Sequence, residues 1–310
     1  MAIQIQTVLE AVEDNGIKIL VHGPAGAGKT QLCATTGQTT IILSAEKGLR
    51  TLKRFALEFP KKFKKIKVIQ INNIDDLEEV FEMVSEDHIC EWICFDSVSE
   101  IAEQILHAAK EESNDPRQAY GKMQDRIGEL LRQFRDLDYN VMMTCKQKYV
   151  VDGDSGRTTY MPALPGQNLP QQIAYLFDEV FALRVEEDED GEEYRTLQTG
   201  KDSKYHAKDR SGCLDMFEKP SIKYLAEKME DFYAAIVPAD EGDDEDNEEN
   251  PKKKKREKKD DPDLDNPHEM SKANSEYNAE KSEKDPENKD ETRKPKKTLG
   301  KKKKEKDAES

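Results

Sequence analysis

The sequence predicts an α/β fold: a mostly parallel sheet flanked by helices, antiparallel strands near its C-terminal end, and a disordered, charged tail. Three observations predict it. Short runs that are apolar nearly throughout alternate with amphipathic stretches over residues 17–144, as strands buried on both faces and the helices covering them must. Two further runs flank an acidic, glycine-containing turn at 186–193, the mark of an antiparallel pair. Beyond Pro238 the apolar residues thin to scattered singles among 20 basic and 24 acidic residues. Such a segment buries too little apolar area to offset its ordering entropy. Residues 1–237 are therefore expected to form one domain and 238–310 a disordered tail.

Taken in order, strands are expected at 17–21, 40–44, 66–71, 91–95 and 140–144, with helices at 29–36, 47–58, 74–85, 98–112 and 117–137. Asp75, with Glu78 three residues on, predicts a capping-box start for the third helix, Asp standing where Ser or Thr is usual. Residues 148–170 hold three Gly and three Pro without periodicity, which predicts a long loop. A short helix at 169–176, strands at 179–185 and 194–199 and an amphipathic helix at 222–236 complete the fold. No internal repeat is present.

Composition narrows the class. Up to Pro238 the chain carries 29 basic against 41 acidic residues, so any contact with nucleic acid must be local rather than a broad basic footprint. The five cysteines (Cys33, Cys90, Cys94, Cys145, Cys213) match no zinc or disulfide spacing and read as buried, reduced thiols. No apolar run approaches the ~18 residues of a membrane span, and the N-terminus lacks the order of a signal peptide. A cytoplasmic protein with no membrane partner is expected. The five histidines show no ligand spacing and receive no role.

The chemistry is concentrated between residues 23 and 30. Gly23-Pro24-Ala25-Gly26-Ala27-Gly28-Lys29-Thr30 fits G-x-x-x-x-G-K-[ST], follows an apolar strand and opens a helix. The glycines let successive backbone N–H groups converge on phosphates, and the helix N-terminus favours negative charge. Lys29 reaches the β- and γ-phosphates of ATP, Thr30 holds Mg²⁺, and Gln31 follows within the site. A second carboxylate for the metal is expected on a neighbouring strand, and Asp96 supplies it at the end of Trp92-Ile93-Cys94-Phe95; taken alone, Asp96 would read better as a helix cap. Ser97 stands where many ATPases place a water-activating Glu. Glu46, at the end of the 40–44 strand, is the expected base, its alternative being an ordinary surface Glu.

Several segments resemble known proteins. Ser44-Ala45-Glu46-Lys47-Gly48-Leu49 is similar to the segment carrying the catalytic Glu of bacterial RecA. Val141-Met142-Met143-Thr144-Cys145-Lys146-Gln147 resembles that superfamily's sensor strand, with Cys145 in place of Asn and Gln147 one residue late. From Lys18 to Cys213, the segments KILVHGPAGAGKT, AEKGLRTL, FDSVSEIAEQIL, DPRQAYGKMQDRI, LPGQNLPQQIAYLFDEVFAL and AKDRSG resemble phage nucleotide-binding proteins with a RecA-like core, including the Sak-type single-strand-annealing ATPases. The resemblance implies a single RecA-like core that binds single-stranded DNA, anneals strands with ATP, cooperates with a single-strand-binding protein and self-associates into a ring or filament. It places the chain in the host cytoplasm if phage-encoded.

The same resemblance gives Gln147 a place at the γ-phosphate and gives Lys204 and Lys208 (with Lys201 and Arg210 nearby) contacts to ATP bound by a neighbouring subunit; a solvated basic edge is the alternative. Lys148, Arg157 and Tyr160 place cations and an aromatic around the 148–170 loop, as single-strand binding requires, against an ordinary polar loop. Two other functions remain open: an ATP-switched loader or adaptor of a replication protein without direct DNA contact, and a nuclear regulator read from the basic run 252–256.

Overall fold

The computed structural model describes residues 16–46, 48–113, 115–153, 155–166 and 169–236. The chain divides into Met1–Pro267 and His268–Ser310, and everything described belongs to the first unit; the tail expected at 238–310 lies outside the described residues.

The expected class is the observed one. The elements run β1 (Lys18–Gly23), α1 (Lys29–Leu32), β2 (Thr40–Ser44), α2 (Arg50–Glu58), α3 (Pro60–Phe63), β3 (Ile66–Gln70), α4 (Ile74–Glu86), β4 (Trp92–Asp96), α5 (Val98–Glu112), α6 (Pro116–Arg135), β5 (Asn140–Val151), β6 (Thr158–Ala163), α7 (Leu169–Ile173), β7 (Glu179–Glu187), β8 (Glu193–Gln198), β9 (Phe217–Glu218) and α8 (Ile222–Ile236). Among the described residues one sheet has the order β3-β2-β4-β5-β1-β7-β8-β9. It is parallel from β3 to β7 and antiparallel from β7 to β9.

The apolar strand runs are explained by two cores. Alternate side chains leave a strand on opposite faces. Leu20, Leu43, Phe95 and Met143 pack under α4, α5 and α6, while Ile19, Ile42, Trp92 and Met142 pack under α1, α2 and α8. Phe95 and Phe134 meet edge to face at 4.8 Å, and burying each such ring contributes on the order of 1.5–3 kcal/mol. No helix among the described residues is long and apolar enough to cross a membrane.

Four expectations are corrected. Residues 148–170 are not a long loop: β5 runs on to Val151 and pairs antiparallel with β6, Lys146 opposite Ala163 and Val151 opposite Thr158. The prolines do not prevent this, because Pro162 lies on an edge strand where a missing N–H is tolerated. The capping box of α4 is formed by Asn73 and Asp76, not Asp75 and Glu78: Asn73 accepts from the Asp76 N–H at 3.0 Å and the Asp76 carboxylate accepts from the Asn73 N–H at 3.3 Å. The helix after the glycine loop stops at Leu32 rather than 36. Finally, β4 is not the neighbour of β1, because β5 lies between them.

Candidate functional site

The glycine loop leaves β1 at a point of close packing. A Cβ on Gly23 would fall 2.7 Å from the Leu183 carbonyl oxygen on β7. Gly26 and Gly28 have φ of 79° and 103°, the left-handed region that only glycine enters without strain. Pro24, Ala25 and Gly26 are exposed, whereas Ala27 is buried and Gly28, Lys29, Thr30 and Gln31 are half-buried. The Lys29 ammonium folds over the loop and donates to the Gly23 and Pro24 carbonyls, both at 2.9 Å. Desolvation holds its pKa below the usual lysine value, against the opposing pull of Glu46 and Asp96.

The carboxylates come from the ends of two adjacent strands. In register, Ser44 on β2 lies beside Asp96 on β4. Asp96 is buried, and it accepts from Thr30 Oγ1 at 2.7 Å and from Thr144 Oγ1, on the intervening β5, at 3.1 Å. Burial raises its pKa and the Glu46 charge adds to this, while the two hydroxyls and Lys29 oppose. Glu46 is exposed, and the Asp96 carbonyl fixes its backbone N–H at 3.3 Å. Its Oε1 accepts from the Ser97 hydroxyl. Ser97 also caps α5, accepting from the Glu100 N–H. Ser97, standing where many ATPases place a Glu, thus orients Glu46 just past the end of the adjacent strand.

Two residues escaped the sequence reading. Arg195 on β8 donates through Nε to the Ala27 carbonyl at 3.1 Å, the only hydrogen bond of its side chain among the described residues. The C=O and N–H of a trans peptide point opposite ways, so this hold on the carbonyl fixes the peptide with the Gly28 N–H directed away from Arg195. Arg195→Ala is expected to raise KM for ATP roughly 10- to 100-fold, the scale of one hydrogen bond made by a charged group, with kcat within a few-fold. Arg195→Gln, still a donor, should recover part of it. Steady-state hydrolysis against ATP concentration checks this, and an unchanged KM in the alanine variant removes the role.

The second is His22, fully buried beside Gly23. Burial pushes its pKa down to about 4, so the ring is neutral and carries one proton. Nε2 faces the His206 carbonyl at 2.8 Å and takes that proton. Gln147 Oε1 stands 3.2 Å from Nδ1; because Nδ1 is then an acceptor, the amide is turned end for end so that its NH₂ donates to the ring, the two ends being alike in shape. Gln147 is thereby held one residue beyond the level at which Gly23 pairs with β5. Its only advance signal was a histidine placed directly before the glycine loop.

The remaining predicted residues separate. The Lys208 ammonium is turned inward onto the Ala174 and Phe177 carbonyls, leaving Lys204 as an exposed cation. Arg157, in the β5–β6 turn, and Tyr160, on β6, line one cleft. Lys148 pairs with Met161 and Tyr149 with Tyr160, so Lys148 leaves the ribbon on the face opposite Tyr160. Lys146 is committed to ion pairs with Glu100 and Glu103 at 2.9 and 3.0 Å.

A bent glycine loop, a folded-back lysine, and a threonine hydroxyl on a strand-end carboxylate together define a P-loop nucleotide site. A family described as an AAA domain matches residues 15–211; this covers more than half of the chain, which belongs to that AAA-type P-loop ATPase family. No curated protein matches the chain.

Proposed function

We propose that the chain is a Mg²⁺-dependent ATPase that binds single-stranded DNA and promotes strand annealing in recombination, in the manner of the phage proteins its segments resemble. The observation that carries the reading is one strand. β5 passes through the nucleotide site at Thr144 and continues into the β5–β6 hairpin bearing Lys148, Arg157 and Tyr160. A single-strand-binding protein as partner, assembly into a ring or filament and action in a host cytoplasm belong to the same proposal.

Mg²⁺ fits the donors present. Thr30 and Asp96 offer hard oxygen ligands, and the buried Ser44 hydroxyl in the same row lacks a hydrogen-bond partner among the described residues, as expected where a hydrated cation completes the site. When bound, the ion supplies charge neutralisation at the β- and γ-phosphate oxygens. Lys29 exchanges two neutral carbonyls for a phosphate anion, a stronger pairing. The glycine-loop N–H groups hold the β-phosphate, with Arg195 fixing the Ala27–Gly28 peptide. Glu46, steadied by Ser97, orients a water and takes its proton as the water oxygen attacks the γ-phosphorus in line. The bond to the bridging oxygen breaks, and ADP leaves with that electron pair.

Anisotropy of a labelled oligonucleotide tests the DNA arm on the full chain. Binding is expected at low salt and should tighten with ATP. Arg157→Ala combined with Lys204→Ala, the two cations lining the cleft with Tyr160, should flatten the logarithmic salt slope by about 1.4, two phosphate contacts at ~0.7 each. The loader or adaptor reading is favoured by the excess of acidic residues before Pro238. It replaces the proposal if the full chain binds no single strand at low salt with ATP present.

A further inference from the structure

A row of planar groups crosses from the β5–β6 hairpin to the far edge of the sheet. Tyr149 meets Tyr160 edge to face at 6.4 Å, and Tyr160 stacks on Tyr205 at 5.0 Å with 20° between the rings. The Arg184 guanidinium lies 4.4 Å over Tyr205 and 5.3 Å over Phe217. Five side chains from five separate segments thus form one continuous stripe. Its two ends are open: Tyr149 is 66% exposed and Phe217 50%. Large aromatics so exposed contribute little to a core, and a chain does not assemble them in line by burial alone.

The charges beside the stripe divide by role. Arg184 is neutralised by Glu186 and also donates to Gln198 at 2.7 Å, so it serves the row as a flat surface rather than as a free cation. Arg157 and Lys204, which line the adjoining cleft of about 640 Å³ with Tyr160 and Tyr205, have no ion-pair partner among the described residues. The arrangement is therefore π faces in line with two available cations at their side.

We propose that this stripe is a base-stacking platform for single-stranded nucleic acid, with Tyr149 and Phe217 as its outer steps and Arg157 and Lys204 as its phosphate contacts. Aromatic faces take any base, and cations beside them track the backbone. Tyr160, Tyr205 and Arg184 already cover one another, so the ring surface left for bases lies at the two exposed ends, Tyr149 and Phe217. A duplex, its bases shielded by pairing, offers the platform nothing. The proposal deepens the single-strand reading above and rests on it.

The stripe is also joined to the nucleotide site. The Tyr160 N–H donates to the Lys204 carbonyl at 2.6 Å, and the His206 N–H donates to the Tyr160 carbonyl at 2.9 Å. The His206 carbonyl in turn holds His22 beside the glycine loop.

The test uses the full chain with labelled oligo(dT), oligo(rU) and a duplex of equal length. Tyr149→Ala and Phe217→Ala remove exposed rings from different elements and touch none of the nucleotide machinery, so DNA-free hydrolysis should stay at the native rate. Each should weaken oligo(dT) binding about 5- to 150-fold, the scale of one lost base stack, with the salt slope unchanged. The double variant should lose roughly the product, since one strand would span both ends. Tyr149→Trp should restore binding. The same losses with oligo(rU) support the platform equally and make RNA an occupant. Native single-strand affinity in both alanine variants overturns the platform while leaving DNA binding itself intact. An equal loss of duplex binding overturns the stacking role. A native chain that binds no single strand removes the functional reading and the platform together.

Discussion

Glu46→Gln is expected to bind Mg-ATP as the native chain does and to hydrolyse it at least ~100-fold more slowly, the usual scale for losing a general base. The substitution is nearly silent in shape. A Gln at this position still accepts from the Ser97 hydroxyl that now meets Glu46 Oε1, and its backbone N–H keeps the Asp96 carbonyl. It differs in that an amide oxygen takes no proton from water. Single-turnover phosphate release, set beside a titration with a fluorescent ATP analogue, separates chemistry from binding. Hydrolysis within a few-fold of native would falsify Glu46 as the base. A matching loss of affinity would instead mean that the side chain serves binding.

Lys29→Ala has the opposite signature: the fold survives and the nucleotide is lost. The ammonium makes two hydrogen bonds, both to carbonyls of its own loop, and packs into neither core. Its removal takes away the cation that meets the phosphates, with two or more charge-assisted bonds at ~1.5–3 kcal/mol each, so Kd for ATP should rise at least ~100-fold. The same fluorescent titration and a thermal melt read the two halves of the expectation. Native affinity sinks the site; a collapsed melting curve shows that Lys29 braces the loop even without ligand.

The sheet was legible because a strand covered on both faces has no freedom in composition. The interval 40–44 was placed to the residue, and Lys18–Gly23 and Trp92–Asp96 fell within two. The glycine loop was legible because phosphate binding fixes residue types at fixed spacing. The hairpin was not. Cys145 closes the buried run of β5, and beyond it Lys146 to Val151 are half-buried or exposed, so the apolar signal ended where the sheet became a two-stranded ribbon. Pro162 and the turn glycines then pointed to a loop. Arg195 was equally hidden: it stands 168 positions from the carbonyl it holds, and no local pattern encodes such a pairing. Ser97 was noticed only as a missing Glu, since its role depends on the adjacency of β2 and β4.

β5 has a mechanical consequence. Its 12 residues, at ~3.4 Å each, form a beam about 40 Å long. The inner half is clamped between β4 and β1, and the outer half overhangs with β6 alone along it. A beam clamped this way has no hinge at its support, because the same unbroken strand lies on both sides of the clamp. β6 in turn ties the overhang to residues 204–206 through the Tyr160 N–H and carbonyl, so a tilt imposed near Thr144 would reach the turn that carries Arg157 and that segment together.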